Sequence, residues 1–155
     1  MRAHDLDRIE QALGLSLPAA YRATMLDYPF PRTHEAAQLW MPDDAAIVLE
    51  INRLIPERCL AGKPWPSHLV FIGSDGGEED FVLDVRAAAA PVLAYERESR
   101  DVRALAPDFA AWLAMLRDWQ AEIDQDAAGD AGGLRAEAMV AVLDSALPAV
   151  NIATR

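Results

Sequence analysis

The segment HLVFIGSDGGEEDFVLDV, residues 68–85, sets the architecture of this chain. Two apolar blocks, residues 69–72 and 81–83, flank a glycine-rich acidic connection. The blocks are rich in β-branched and aromatic residues and are too short for helices, so they predict two paired strands. A tight reversal between them needs positive φ angles, which glycine adopts without steric cost. We expect three glycines to form this turn: Gly73, Gly76 and Gly77.

The same reversal is rich in carboxylates. With no Lys or Arg among them, five acidic residues lie on or beside it: Asp75, Glu78, Glu79, Asp80 and Asp84. A hairpin requires glycine but not charge, so the surplus acid predicts a contact surface. Two alternatives stay open. Asp75 could cap the turn while Glu78 and Glu79 are merely solvated, or the carboxylates could form a partial Ca²⁺ loop, although the EF-hand spacing is absent.

Helical periodicity is clear at the N-terminal end. Leu6, Ile9 and Leu13 recur at helical spacing, and Gly14 is a suitable C-terminal stop. Pro18 suits the first turn of a second helix. The apolar face of that second helix is predicted to be Tyr21, Met25 and Tyr28, and it ends at Pro29 and Pro31.

The middle of the chain is ambiguous. Residues 39–41 could form a short strand. Asp43 and Asp44 could cap a helix, whereas the β-branched residues of 47–51 favour a strand, so the state of residues 45–52 stays open. The proline-rich piece around residues 63–66 is a predicted surface loop.

Beyond residue 85 we expect a third strand at 91–95 and a long amphipathic helix that begins at Pro107 and Asp108. The apolar stripe of this helix is predicted to lie in the core: Phe109, Trp112, Leu113, Leu116 and Trp119. The sequence therefore predicts an α+β fold with a single domain, residues 1–125, built on a twisted, largely antiparallel sheet flanked by helices. Residues 126–133 read as a linker, and residues 134–155 as a C-terminal helical extension that packs on the core, on a second copy or on a partner.

Composition restricts the function classes. The chain has 155 residues, a formal net charge of −11 and a pI near 4.6. This charge repels nucleic acid and anionic membranes and attracts basic proteins. With no apolar leader and no run long enough to span a membrane, the chain is expected to be cytoplasmic. Cys59 is the single cysteine, which excludes an internal disulfide.

Catalytic patterns are missing from the sequence. Cys59 has no nearby group that would lower its pKa, and the three histidines, His4, His34 and His68, are scattered. The glycine turn lacks the Lys-Ser/Thr of a phosphate cradle and is itself anionic. The prediction is a chain that is not an enzyme and that needs no cofactor and no metal.

Several short motifs follow one another in a fixed order: Ile9-Glu10 and Leu13, Leu17-Pro18-Ala19-Ala20-Tyr21, Ile72-Gly73-Ser74-Asp75-Gly76-Gly77, Leu83-Asp84, Pro91-Val92 and Phe109-Ala110-Ala111-Trp112-Leu113. In this order and spacing, over residues 5–117, the chain resembles the SUKH superfamily, which groups Smi/Knr-type regulatory proteins of fungi with many bacterial immunity proteins. It departs from the family pattern at Tyr28-Pro29-Phe30 and at Glu78, where the family has Asn-Gly and a further glycine.

The resemblance implies a protein-binding domain, and two functions follow from it. The first is an immunity protein that occludes the basic active site of a toxin, such as a nuclease, with acidic side chains. Its partner-binding residues are then Asp75, Glu78, Glu79 and Asp80. The second is an intracellular regulatory or scaffold module of the same fold. A homodimer is compatible with both.

Overall fold

The computed structural model describes residues 1–31, 40–54 and 64–129, except for the side chains of 126–129. Its elements confirm the predicted α+β class. They are, in chain order, α1 (Ala3–Leu13), α2 (Ala19–Leu26), α3 (Ala45–Leu54), β1 (Leu69–Ser74), β2 (Glu79–Asp84), β3 (Val92–Glu96), β4 (Val102–Ala106) and α4 (Phe109–Gly129).

The four strands form an antiparallel meander in the order β1-β2-β3-β4. The predicted hairpin of residues 68–85 is confirmed as β1 and β2, and the predicted third strand as β3. A bulge between Phe71 and Gly73 shifts the register of the first hairpin. In a meander of this kind, the β1–β2 and β3–β4 turns lie at the same end of the sheet.

One face of the sheet packs against the helices and forms the main core. Phe81 of β2 contacts Trp112 of α4, with ring centroids 4.6 Å apart, and Tyr21 of α2 meets the ring of Phe109 edge-on. The stripe predicted for α4 is buried as expected, with Leu113 half-buried. Asp108 begins this helix, because its carboxylate accepts the N–H of Ala111 at 2.8 Å.

The N-terminal helices also follow the prediction. Gly14 ends α1 in the left-handed region, with φ of 67°. Glu10 then joins α1 to α2: its carboxylate accepts the N–H of Leu17 at 2.7 Å and a guanidinium N–H of Arg22 at 2.6 Å. Helix α2 ends at Leu26, so the predicted face residue Tyr28 lies just outside it.

The opposite face of the sheet, which we call the back face, is also buried. Phe71, Val82 and Tyr95 are at most 3% exposed there. Trp65 covers part of this face, because its ring meets that of Tyr95 edge-on at 5.0 Å. The polar positions of β2 on the back face are therefore also low in exposure, including Asp80.

Three expectations need correction or completion. Residues 45–54 are helical, since Val48 and Leu49 face the core at helical spacing and Asp44 accepts the N–H of Ala46 at the helix start. Trp40 is helical and Met41 lies in a bend, so the strand expected at 39–41 is wrong for these two residues. The sequence analysis assigns no element to the residues of strand β4.

The C-terminal predictions are only partly covered by the structure. Helix α4 continues to Gly129, so the first four residues of the predicted linker are helical. The rest of the linker and the helical extension, residues 134–155, lie outside the described residues. His34, Cys59 and Lys63 also lie outside them.

Candidate functional site

The acidic reversal between β1 and β2 is a turn that Asp75 organises. Its carboxylate accepts the N–H of Gly77 at 2.7 Å and the N–H of Glu79 at 3.1 Å, while the Ser74 hydroxyl accepts the N–H of Gly76. The prediction that Asp75 caps the turn is confirmed. These bonds fix the turn backbone before any partner arrives.

The glycines of the turn do not all serve in the predicted way. Gly76 has φ of 77°, a value that side-chain-bearing residues rarely adopt. Gly73 and Gly77 do not have positive φ, so the expectation of a positive φ is wrong for these two, although Gly77 lies in the turn and donates its N–H to Asp75. Gly73 lies within β1, where it pairs with Phe81 after the bulge, and the extended backbone needs no left-handed residue there.

Asp80 is a buried residue and is held by an arginine. Its side chain is 2% exposed, and both of its oxygens accept hydrogen bonds from the Nε and Nη2 groups of Arg97. The same guanidinium donates to the carbonyl of Gly77, and the Arg97 backbone N–H donates to the carbonyl of Glu78 at 3.0 Å. Arg97 therefore ties the β3–β4 hairpin to the acidic turn.

The neighbouring carboxylates are compensated in the same way. Both oxygens of Glu79 accept from Nη2 of Arg103 at 2.8 Å. Asp84 accepts Nε and Nη2 of Arg86, and these hydrogen bonds hold the pKa of Asp84 below its usual value. No Lys or Arg lies among the five carboxylates in the sequence, but three of them are bound by arginines that lie further along the chain.

Arg97 and Arg103 are the functional neighbours that sequence reasoning missed. The register of β2 and β3 pairs Asp80 with Tyr95, which puts Arg97 two residues further along the same face. The register of β3 and β4 pairs Ala94 with Arg103, one row from Glu79. Alternation along β2 and β3, both of which the sequence predicts, could have found the pair of Asp80 with Arg97. The pair of Glu79 with Arg103 also requires β4, for which the sequence analysis has no prediction.

A smaller set of exposed acids remains at this end of the sheet. We call residues 75–78 and 96–101 together the acidic sheet end. Glu78, Glu98 and Asp101 are exposed there, and their carboxylates make no hydrogen bond or ion pair with any described residue. Glu96 is exposed and accepts the Ser99 hydroxyl at 2.6 Å. The acidic sheet end can therefore present several carboxylates to a cationic surface on a rigid pair of turns.

The structure thus separates the four predicted partner-binding residues. Glu78 is exposed at the tip, Asp75 shapes the turn, and Glu79 and Asp80 are engaged in ion pairs. The partner-binding role stays a prediction for Asp75, Glu78 and Glu79, and of these three Glu78 is the most exposed. For Asp80 the burial leaves no carboxylate surface to offer a partner.

Within residues 1–31, 40–54 and 64–129, no group of three or more His, Cys, Asp or Glu side chains is arranged to hold a metal ion. In the same described ranges, no helix is long and apolar enough to cross a membrane. An open groove of about 550 Å³ lies between α1 and α3, where Arg8, Glu50 and Arg53 line it beside Leu49 and Leu54.

These features define the class of the molecule. It is an α+β domain whose antiparallel meander is covered on one face by helices, and at one end of the sheet two acidic turns are hydrogen-bonded to each other. A family model matches residues 2–115, and by this match the chain belongs to the SMI1 / KNR4 family (SUKH-1). The resemblance seen in the sequence is thereby confirmed. Comparisons with curated proteins and with solved structures found no match.

Proposed function

We propose that this chain is a non-catalytic protein-binding domain, and specifically an immunity protein that neutralises a bacterial toxin by occluding its basic active site. Membership of the SUKH-1 family supports the binding role, because SUKH domains are often immunity proteins. The observation that carries the proposal is the acidic sheet end, where Glu78, Glu98 and Asp101 stand exposed on two turns held together by Arg97.

Rigid presentation is what makes this surface suitable for binding. Asp75 fixes the first turn through two backbone N–H groups, and Arg97 joins it to the second. Little backbone entropy is then lost on association, so more of the contact energy appears as affinity. The carboxylates take the positions of substrate phosphates in a nuclease groove, and the overall charge of −11 accelerates the encounter.

The proposal predicts that a gene beside this one encodes a toxin, which sequencing of the flanking genes checks, and the catalytic domain of that toxin is then co-expressed with variants of this chain. Glu78→Lys/Glu98→Lys reverses two exposed acids of the acidic sheet end. The matched control, Asp27→Lys/Glu50→Lys, makes the same charge change at the exposed residue that follows α2 and at an exposed position of α3. We expect the first pair to lower the association rate by about tenfold or more and to abolish protection of cells, and the control to retain both.

Thermal unfolding of both pairs is measured in parallel, because exposed substitutions of this kind change stability by only about 0.5 kcal/mol. Protection that survives Glu78→Lys/Glu98→Lys in a normally folded protein would show that the acidic sheet end is not the contact surface.

A second candidate is an intracellular regulatory or scaffold module. The matching family model carries the name of the SMI1 and KNR4 proteins, and the resemblance links that type to regulation in fungi. This function is favoured if the neighbouring gene encodes no toxin and if the charge-reversed pair loses a host protein that the control pair still binds.

A further inference from the structure

The two edge strands of the sheet, β1 and β4, differ in whether their outward backbone groups are hydrogen-bonded. At the β1 edge, every outward backbone group of Leu69 and Phe71 has a partner. The Leu69 N–H donates to the Pro66 carbonyl, and the Leu69 carbonyl accepts Nε1 of Trp65. Asn52 of α3 bonds Phe71 like a further strand: its Oδ1 accepts the Phe71 N–H and its Nδ2 donates to the Phe71 carbonyl. At these two residues, the β1 edge has no free backbone group to pair with a further strand.

At the β4 edge, the corresponding backbone groups have no hydrogen-bond partner in the part of the chain that the structure describes. The Glu96 N–H donates to the Asp101 carbonyl, which makes residues 96 and 101 a bonded pair. Alternation along the antiparallel ladder then turns the N–H and C=O of Val102 and Ala104 away from β3. None of these four groups is bonded by any residue that the structure describes. Both residues are partly exposed.

An open edge of this kind is a template for another strand, and proteins usually blunt such edges. Strand β4 has no proline in its interior. The two residues whose backbone groups point outward, Val102 and Ala104, have short aliphatic side chains. The cation on it, Arg103, is neutralised by Glu79. Among the described residues, a bulge opposite Val92 and Leu93 interrupts the β3–β4 pairing near its far end, but no proline and no unpaired cation lies at Val102 or Ala104 to protect the edge there.

We propose that an extended basic segment of the partner protein pairs with β4 and adds a fifth strand to the sheet. The inference rests on the proposed function, since it names how the partner is held. Charge complementarity selects the occupant: β4 begins at the acidic sheet end, beside Glu98 and Asp101. A second copy of this chain, with the same charge of −11, is repelled instead. The backbone bonds supply affinity, and the neighbouring carboxylates select cationic side chains.

The probe is a synthetic decapeptide of alternating lysine and valine, which is basic and strand-forming, added at millimolar concentration to the full chain. Amide hydrogen exchange is followed residue by residue by NMR. We expect the peptide to slow exchange at Val102 and Ala104 by about tenfold, and to leave Leu69 and Phe71 unchanged because they are already bonded. An otherwise identical peptide with glutamate in place of lysine should give no protection.

Two variants separate backbone pairing from general charge attraction. Ala104→Pro removes an outward N–H at an edge position that tolerates proline, whereas Ala104→Val keeps that N–H. Peptide protection should be lost in the first variant and retained in the second. If Ala104→Pro does not fold, a peptide with N-methylated amides along its pairing edge gives the same comparison on the unaltered protein, and it should not protect.

Absence of protection by the lysine peptide, equal protection by the N-methylated peptide, or protection that appears without peptide as the protein concentration rises would each overturn the proposal. The last of these outcomes would assign the edge to self-association. Because the measurement requires no toxin, its failure is distinct from the failure of the immunity function, which is judged by cell protection with Glu78→Lys/Glu98→Lys.

Discussion

The ion pair between Arg97 and Asp80 should be a stability determinant and not a binding determinant. Arg97→Ala leaves the Asp80 carboxylate in a site where its side chain is 2% exposed. Removal of one partner from a fully buried pair costs about 3–5 kcal/mol. Arg97 is 37% exposed, so water can partly replace it, and we reduce the expected loss to about 2 kcal/mol.

A loss of this size lowers the midpoint of thermal unfolding by on the order of 10 °C for a domain of this length. Arg103→Ala is the matched control. It removes a guanidinium from a carboxylate that stays 19% exposed, and the expected cost is below about 1 kcal/mol. Urea unfolding of both variants gives the free energies of unfolding at constant pH and salt.

A double-mutant cycle completes the measurement. Asp80→Asn removes the buried charge, so adding Arg97→Ala on that background should cost clearly less than it does alone. Equal losses for Arg97→Ala and Arg103→Ala, or strict additivity in the cycle, would refute the assignment of Asp80 to the structure. In the expected case, Asp80→Lys is unsuitable as a test of binding, because it places a second cation beside Arg97.

Three further outcomes are expected. Tyr21→Phe should leave the free energy of unfolding unchanged or raise it by up to about 1 kcal/mol, because the Tyr21 hydroxyl is buried without a partner among the described residues. Burial raises the pKa of Tyr21 above its usual value, so Tyr21→Phe should remove a late-titrating tyrosine from the ultraviolet titration. Asn52→Ala should cost about 2 kcal/mol in urea unfolding, since it leaves the N–H and C=O of Phe71 unbonded beneath α3. Arg86 lowers the pKa of Asp84 in the folded state, so this carboxylate stabilises the fold above about pH 4. The stabilisation is lost as the pH falls through the lowered pKa. The thermal unfolding midpoint of Asp84→Asn should therefore approach that of the unaltered protein as the pH drops to about 3.

Each of these outcomes has a direct contradiction. A clear destabilisation by Tyr21→Phe would reveal a partner for its hydroxyl. A loss for Asn52→Ala no larger than that for the exposed neighbour Glu50→Ala would mean that water satisfies Phe71. An Asp84→Asn difference that is constant from pH 7 to pH 3 would mean that its ion pair with Arg86 does not stabilise the fold.

The elements that sequence reasoning found are those with strong local signals. The hairpin of residues 68–85 has two β-branched blocks around glycine, and α4 has an uninterrupted aromatic stripe. The sequence leaves residues 45–52 ambiguous because Ile47, Val48 and Ile51 suit both a helix and a strand. Packing decides the matter: Val48 and Leu49 are buried, and Ile47 is left exposed on the helix surface.

The candidate site was predictable in position but not in electrostatics. The turn, its cap by Asp75 and the exposure of Glu78 follow from local chemistry. The neutralisation of Glu79 and Asp80 depends on strand register, which brings Arg97 and Arg103 from a later hairpin across the sheet. Charge counted along a sequence overlooks such partners, because pairing in a sheet is set by neighbours in space.

The meander order of the sheet bears on the route of folding. Every strand pairs with the next one along the chain, so the sheet can assemble through short loop closures. The contact between Tyr21 and Phe109, in contrast, joins two distant parts of the chain. We expect the hairpins to be formed in the transition state and this aromatic contact to follow, so that truncation of Phe109 accelerates unfolding more than it slows refolding.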